Sequence, residues 1–275
     1  MYKRQEQGNV VDLGERECSA QRRNQKVVEI APAPNLADDL RQNVIDAALR
    51  FANQEGYQSL GTFEFLVSTE AGAKDFVFIE ANARLQVEHT VTEAVTGVDL
   101  VQSQIQIARG LSLDAIGLQA GAQSRGFAVQ ARVNMEALTP DGTVLPSSGT
   151  LSAYEAPSGP GVRVDGFGYA GYATSSAFDS LLAKVIVSSN APDFAAVCAK
   201  AVRALAEFRI EGLATNTHFL QNILGHQAFV DGLIHTRWVD EHMQALALPS
   251  STRERFVGSQ ATGRADGFAG ARVDT

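Results

Sequence analysis

Two cysteines in 275 residues, Cys18 and Cys198, are too few and too far apart for a disulfide framework or a cysteine-rich metal knuckle. A reducing compartment, the cytoplasm, is therefore the expected location. No apolar run reaches the roughly 20 residues that a membrane-spanning helix needs, and the N-terminus lacks the apolar stretch of a secretory signal. Basic residues are in the minority: 23 Lys and Arg against 31 Asp and Glu leave a formal charge of −8, which argues against nucleic acid as the main partner. A glycine-rich phosphate loop followed by lysine is also missing, although the chain has 24 glycines. What is there, 45% hydrophobic residues over this length, suffices for a core in one large domain or two small ones.

The opening MYKRQ carries no pattern, and residues 1–7 are expected to be a non-native or disordered leader. Residues 8–15 read as a strand without a partner. KVVEI at 26–30 is a short strand ended by the two prolines of APAPN. Asn35 is placed to cap a helix over about 37–55, with Leu40, Val44, Ala47, Ala48 and Phe51 on one stripe and Gly56 past its end. GTFEFLVS and DFVFIE are two strands around the turn TEAGAK. Asp99 and Gly110 bracket a further helix. From Gly126 the texture changes to strands separated by Gly, Pro and Ser, followed by a helix with Phe194, Val197, Ala201, Leu205 and Phe208 on one face. The reading is an α+β fold in two lobes divided near 112–126, a flexible linker following from 247 to 275.

The stretch FIEANARLQVEH, residues 78–89, places Glu80, Asn82, Arg84, Gln86 and Glu88 at every second position, on one side of an extended chain. A hairpin turn centred on Gly72 would set Glu64 directly opposite Glu80. Like charges in that relation destabilise a sheet, so a cation between them is expected. Magnesium suits two carboxylates, and Asn82 could add a neutral oxygen. Two acids alone read equally well as solvent-facing strand residues. The continuation tilts the balance, because Arg84 can fork onto a planar oxyanion, Gln86 adds hydrogen bonds, and Glu88 can serve as a base. His89 is read as local structure, since Thr90 and Glu93 form a capping-box pattern.

The motifs ERECSAQRRNQKVVEIAPAP, GTFEFL, FIEANARLQVEHTVTEAVTGVDLV and FDSLLAK together resemble the biotin carboxylase family of ATP-grasp enzymes. These are the biotin-charging components of acetyl-CoA, propionyl-CoA, pyruvate and urea carboxylases. The similarity runs from about Gly8 to about His242. It implies a partial ATP-grasp domain over 8–125, the C-terminal half of that domain, and a biotin carboxylase C-terminal lobe over 126–246. The implied reaction is carboxylation of carrier-bound biotin from ATP and bicarbonate through carboxyphosphate. Carried over by motif, Glu64, Glu80 and Asn82 would hold Mg2+ or Mn2+ and phosphate. Arg84, Gln86 and the Val87 backbone would hold bicarbonate, Glu88 would take its proton, and Arg132 would orient biotin and stabilise its enolate. Gln21, Asn24 and Lys26 resemble nucleotide-contacting residues, although the family usually has His where Asn24 stands.

The resemblance further implies a biotin carrier domain and a carboxyltransferase as partners, and a homodimer through the C-terminal lobe. The family's N-terminal domain, glycine-rich lid and phosphate-binding lysines have no counterpart in this sequence, so independent activity is not expected. Two other readings stand beside it: a non-catalytic assembly module of a carboxylase complex, and a different ATP-grasp ligase.

Overall fold

The computed structural model describes residues 2–4, 9–68, 75–139, 141–175 and 177–249, with the side chains of 2–4 left undescribed. Along the chain come β1 (Tyr2–Arg4), β2 (Val10–Val11), β3 (Gln21–Arg22), β4 (Gln25–Lys26) and β5 (Val28–Ala31). Helix α1 (Asp38–Gln54) leads to the hairpin β6 (Ser59–Val67) and β7 (Phe76–Asn82), then α2 (His89–Thr96) and α3 (Leu100–Ala108). The second half holds β8 (Phe127–Asn134), β9 (Glu136–Leu138), β10 (Val144–Pro146), β11 (Ala153–Glu155), β12 (Val162–Gly166) and β13 (Leu181–Ser189). Helix α4 (Phe194–Glu207), β14 (Arg209–Glu211), α5 (Thr217–Gly225) and three one-turn helices, α6 (Gln227–Val230), α7 (Trp238–Glu241) and α8 (Met243–Leu246), complete it. This is the expected α+β mixture.

Two four-stranded sheets organise these elements, ordered β2-β1-β6-β7 and β12-β13-β8-β5. The second is amphipathic by simple alternation. Val28, Ile30, Val129, Ala131, Val133, Ala183, Val185 and Val187 face one way and bury against α4 and α5, where Val197, Ala201, Leu205, Phe219, Leu220 and Ile223 complete the largest core. The in-between residues Glu29, Gln130, Arg132, Lys184 and Asp165 share the other face, as the cross-strand register requires. A smaller apolar patch on that face, Ala31, Ala128 and Ile186, seats α2 through Val91 and Val95.

The first sheet solves a different problem. Glu64 faces Glu80 and Thr62 faces Asn82, as the hairpin register requires, while the turn itself lies outside the described residues. Beyond Glu64 the pairing slips at a bulge, so that Phe65 faces Phe78. The slip lets Phe78 join the side on which α1 packs, where it stacks on Phe51 with ring centroids 4.7 Å apart, and leaves the two acids on the opposite side.

Several local expectations are corrected. Tyr2–Arg4, placed within a disordered leader, is a strand: it fills the gap between β2 and β6 and satisfies the backbone groups of both. It also gives residues 10 and 11 the partner strand they were thought to lack. Asn35 does not cap α1, because its amide donates to the Asp231 carbonyl; the residue before the helix is Ala37, and Asp38 and Asp39 complement the helix dipole instead. Thr90 and Glu93 form no capping box. Thr90 is buried against Gln130, and Glu93 accepts from Leu100 N–H at 2.8 Å and pairs with Arg163. Strand β5, from the first half of the chain, lies on the edge of the sheet built mainly from the second half.

Phe219 is nearly fully buried at the centre of the large core. Replacing it with Ala is expected to cost about 3–5 kcal/mol of unfolding free energy. Urea denaturation measures this, with the midpoint falling and the slope unchanged.

Candidate functional site

The two sheets meet through charge. Glu88 sits at the N-terminal boundary of α2 with only 2% of its surface exposed. Lys26 of β4 reaches its Oε1 at 2.7 Å, and Arg132 of β8 donates from NH2 to its Oε2 at 3.1 Å. Lys26 Nζ also contacts Glu64 Oε1 at 2.8 Å, so one ammonium bridges two carboxylates from different elements. The same Glu64 oxygen accepts from Gln86 Nε2 at 2.7 Å and from Asn82 Nδ2 at 3.2 Å. Asn82 Nδ2 reaches Glu80 Oε1 as well, at 2.8 Å. The repulsion between the facing acids is thus relieved by an ammonium and two amides. Among the described residues no three acid, His or Cys side chains gather with metal-binding geometry.

Further contacts fix this cluster. Arg16 spans Gln86 Oε1 at 2.9 Å, Thr62 at 3.0 Å and Thr92 at 3.1 Å, which ties β6 to α2. Glu29, fully buried in β5, receives Arg132 Nε at 2.5 Å and Gln130 Nε2 at 2.8 Å. Lys184 crosses from β13 to the Val87 carbonyl at 3.1 Å, with Asp165 at 3.4 Å as its counter-ion. Buried charges of this kind are tolerable because each is paired and hydrogen-bonded.

The electrostatics follow from these pairings. Burial alone would push the Glu88 carboxyl up, but the charges of Arg16 and Lys26 and the hydrogen bond from Lys26 outweigh it and hold the group below the usual carboxylate range. Burial dominates at Glu29, whose carboxyl is pushed up despite Arg132. Burial likewise pushes Lys184 down. His89 is also lowered, chiefly by burial, while its Nδ1 lies 2.8 Å from the Gln86 carbonyl, a structural role in keeping with its sequence reading.

Of the residues singled out from sequence, Lys26, Glu64, Glu80, Asn82, Gln86, Glu88 and Arg132 form one contact network, while the Val87 carbonyl accepts from Lys184. Gln21, Asn24 and Arg84 lie outside it. Gln21 donates to the Cys18 carbonyl at 2.8 Å, and Arg84 is exposed, donating to the Leu85 carbonyl at 3.3 Å. Asn24 has a local reason for being Asn: with φ of 62° beside Arg23 at 48°, it forms the two-residue turn between β3 and β4. That turn requires left-handed backbone at both positions, which Asn tolerates better than most residues. Arg16, Glu29, Gln130 and Lys184 were not singled out. Glu29 in VVEIA and Lys184 in LLAKVIV each carry a visible signal, a lone charge inside an apolar strand that must be paired if buried.

With this geometry in view, comparison defines the class. Residues 3–116 match the carbamoyl-phosphate synthase L chain ATP binding domain, and residues 130–241 match the biotin carboxylase C-terminal domain. The chain belongs to the biotin carboxylase family of ATP-grasp proteins. Pyruvate carboxylase 1 of Caenorhabditis elegans is 48% identical over 250 residues, 90% of this chain and 21% of that protein. The mitochondrial pyruvate carboxylase of Homo sapiens is 43% identical over 249 residues, 90% of this chain and 20% of that one. The biotin carboxylase domain of a single-chain bacterial carboxylase superposes with a TM-score of 0.80 at 44% identity, covering 87% of this chain and 54% of that structure. The biotin carboxylase domain dimer of Hydrogenobacter thermophilus 2-oxoglutarate carboxylase, in complex with MgADP, ADP and bicarbonate, gives 0.82 at 37% identity, covering 90% and 53%. The chain therefore spans about a fifth of the length of these curated relatives and about half of these solved chains.

The lowered Glu88 pKa has a stability consequence. A carboxylate depressed in the folded state contributes stability that is present above its unfolded pKa, about 4.3, and lost as pH falls through the folded value. Lys26→Met removes one of the causes, so Glu88 titrates higher and that loss begins at higher pH. The variant is expected to be destabilised by about 3 kcal/mol at pH 7, because Glu64 and Glu88 lose the ammonium they share, and by less at pH 4. Urea unfolding at the two pH values checks both the size and the sign.

Proposed function

We propose that this chain supplies the bicarbonate and biotin side of a biotin carboxylase site, and that the reaction it serves is ATP-dependent carboxylation of carrier-bound biotin. The observation that carries the reading is the buried Glu88 carboxylate, bridged by Lys26 and Arg132 next to the Gln86–Val87 segment. In this reading Arg84, Gln86 and the Val87 backbone receive bicarbonate. Arg84 is exposed and only weakly engaged, so it is free to turn onto a planar anion. Glu88, ionised at neutral pH, takes the bicarbonate proton: the O–H bond of bicarbonate breaks, its electron pair stays on the substrate oxygen, and a new O–H bond forms on Glu88. Arg132 holds positive charge where biotin would become an enolate. Gln21, Asn24 and Lys26 lie on the nucleotide side.

Glu64, Glu80 and Asn82 fit a hard divalent cation. Two carboxylates face each other across the strand pair, and the amide between them offers an oxygen when turned over. Magnesium there, the ion named in the MgADP complex of the relative, would neutralise nucleotide phosphates.

The relatives named include pyruvate carboxylases and a 2-oxoglutarate carboxylase, and the acceptor, carrier and carboxyltransferase are properties of those longer proteins. For this chain we infer a carrier domain as partner and pairing through the C-terminal lobe, in line with the domain dimer of the relative. Among the described residues no helix is long and apolar enough to cross a membrane. The cytoplasm remains our reading from cysteine usage, although some relatives are mitochondrial.

The test is bicarbonate-dependent ATP hydrolysis with magnesium and biotin, by this chain alone and mixed with the preceding half of a relative's biotin carboxylase domain. Hydrolysis is expected in the mixture and not from the chain alone, and Glu88→Ala should abolish it. Equal rates for wild type and Glu88→Ala in both arms would refute the assignment.

A further inference from the structure

Glu29 has no part in the roles assigned above, yet it is the most deeply buried charge in the cluster. It stands in β5 between Val28 and Ile30, where an apolar residue would cost nothing to bury. Both of its oxygens are used. Oε1 accepts from Arg132 Nε at 2.5 Å, and Oε2 accepts from Gln130 Nε2 at 2.8 Å. Gln130 cannot turn away, because its own oxygen accepts from the buried Thr90 hydroxyl. Thr90 lies two residues beyond Glu88, so the contacts close a ring: Glu88, Arg132, Glu29, Gln130, Thr90 and back into α2. Arg132 is thus shared by two buried carboxylates, and its contact with Glu88, at 3.1 Å through NH2, is the looser one. Its NH1 has no hydrogen-bond partner among the described residues.

We propose that Glu29 is a positioning residue that anchors Arg132 to the sheet, so that the guanidinium keeps its place when Glu88 loses its negative charge to a proton. The inference rests on the reading of Glu88 as base and Arg132 as the biotin-side cation. If Glu88 were the only anchor, protonation would turn an ion pair into a weaker hydrogen bond from the guanidinium to a neutral carboxyl, just when the positive charge is needed. Glu29 receives no substrate proton and keeps two donors on it throughout, leaving NH1 for the ligand.

The Nε–H resonance of Arg132 reports the anchor in this chain without any turnover. Its exchange with solvent deuterium is expected to be at least about tenfold slower than that of exposed Arg237, a difference of about 1.4 kcal/mol in opening. Glu29→Gln should speed exchange about tenfold, Glu29→Asp should give an intermediate rate, and Glu88→Gln should leave it slow. Backbone amides of Val129 and Ala131 serve as the fold control. Unchanged protection in Glu29→Gln overturns the proposal, as does its loss in Glu88→Gln. If Glu29→Gln does not fold, Glu29→Asp decides, and wild-type protection in that variant is a refutation. In the reconstituted assay, Glu29→Gln should raise KM for biotin more than KM for ATP. Because exchange is read whether or not ATP is hydrolysed, failure of this inference and failure of the functional reading are separable.

Discussion

A carboxylate buried to 2% exposure has to be paid for by cations, and at Glu88 they arrive from two different parts of the fold. Lys26 comes from a two-stranded ribbon and Arg132 from the middle of a four-stranded sheet, while Glu88 itself starts a helix seated on that sheet. None of these elements could hold the charge alone. The ion pairs therefore act as ties between segments far apart in sequence, and the cost of breaking any one of them keeps the arrangement unique.

The sheet β12-β13-β8-β5 makes the arrangement possible by dividing its labour between its faces. One face is continuous Val, Ile and Ala against α4 and α5. The other interleaves Glu29, Gln130, Arg132, Lys184 and Asp165. Rigid apolar packing behind each strand fixes where these polar side chains start, and their mutual contacts fix where they end. The first sheet reaches the same result with a bulge, which sends Phe78 toward α1 and keeps Glu64 and Glu80 on the site side.

The chain corresponds to about half of the biotin carboxylase domains it resembles, and the site has an open flank to match. Glu80 and Arg84 are exposed, as are Val77, Phe78 and Ile79 on the outermost strand of the first sheet. The inner wall, by contrast, is finished: Glu88, Gln86, Glu29 and Gln130 are buried and hydrogen-bonded. The buried wall thus stands on completed packing, while Glu80 and Arg84 on the open flank have few partners.

The sequence by itself determined the strand and helix order, the core stripe of α4, and the pairing of Glu64 with Glu80. Each is a local property, carried by a period of two or of 3.6 residues or by the turn of one hairpin. It could not determine which local caps form. Asn35 and Thr90 both carry capping chemistry, and both are diverted to partners 196 and 40 residues away. Nor could it show that Tyr2–Arg4 completes a sheet, since strand pairing depends on neighbours distant in the chain. Only the tertiary structure decided that Lys26 binds two carboxylates, that Arg132 is shared between Glu88 and Glu29, and that Lys184 reaches Val87. Those contacts join residues 38 to 103 positions apart, and their strength comes from burial, which no short stretch of sequence contains.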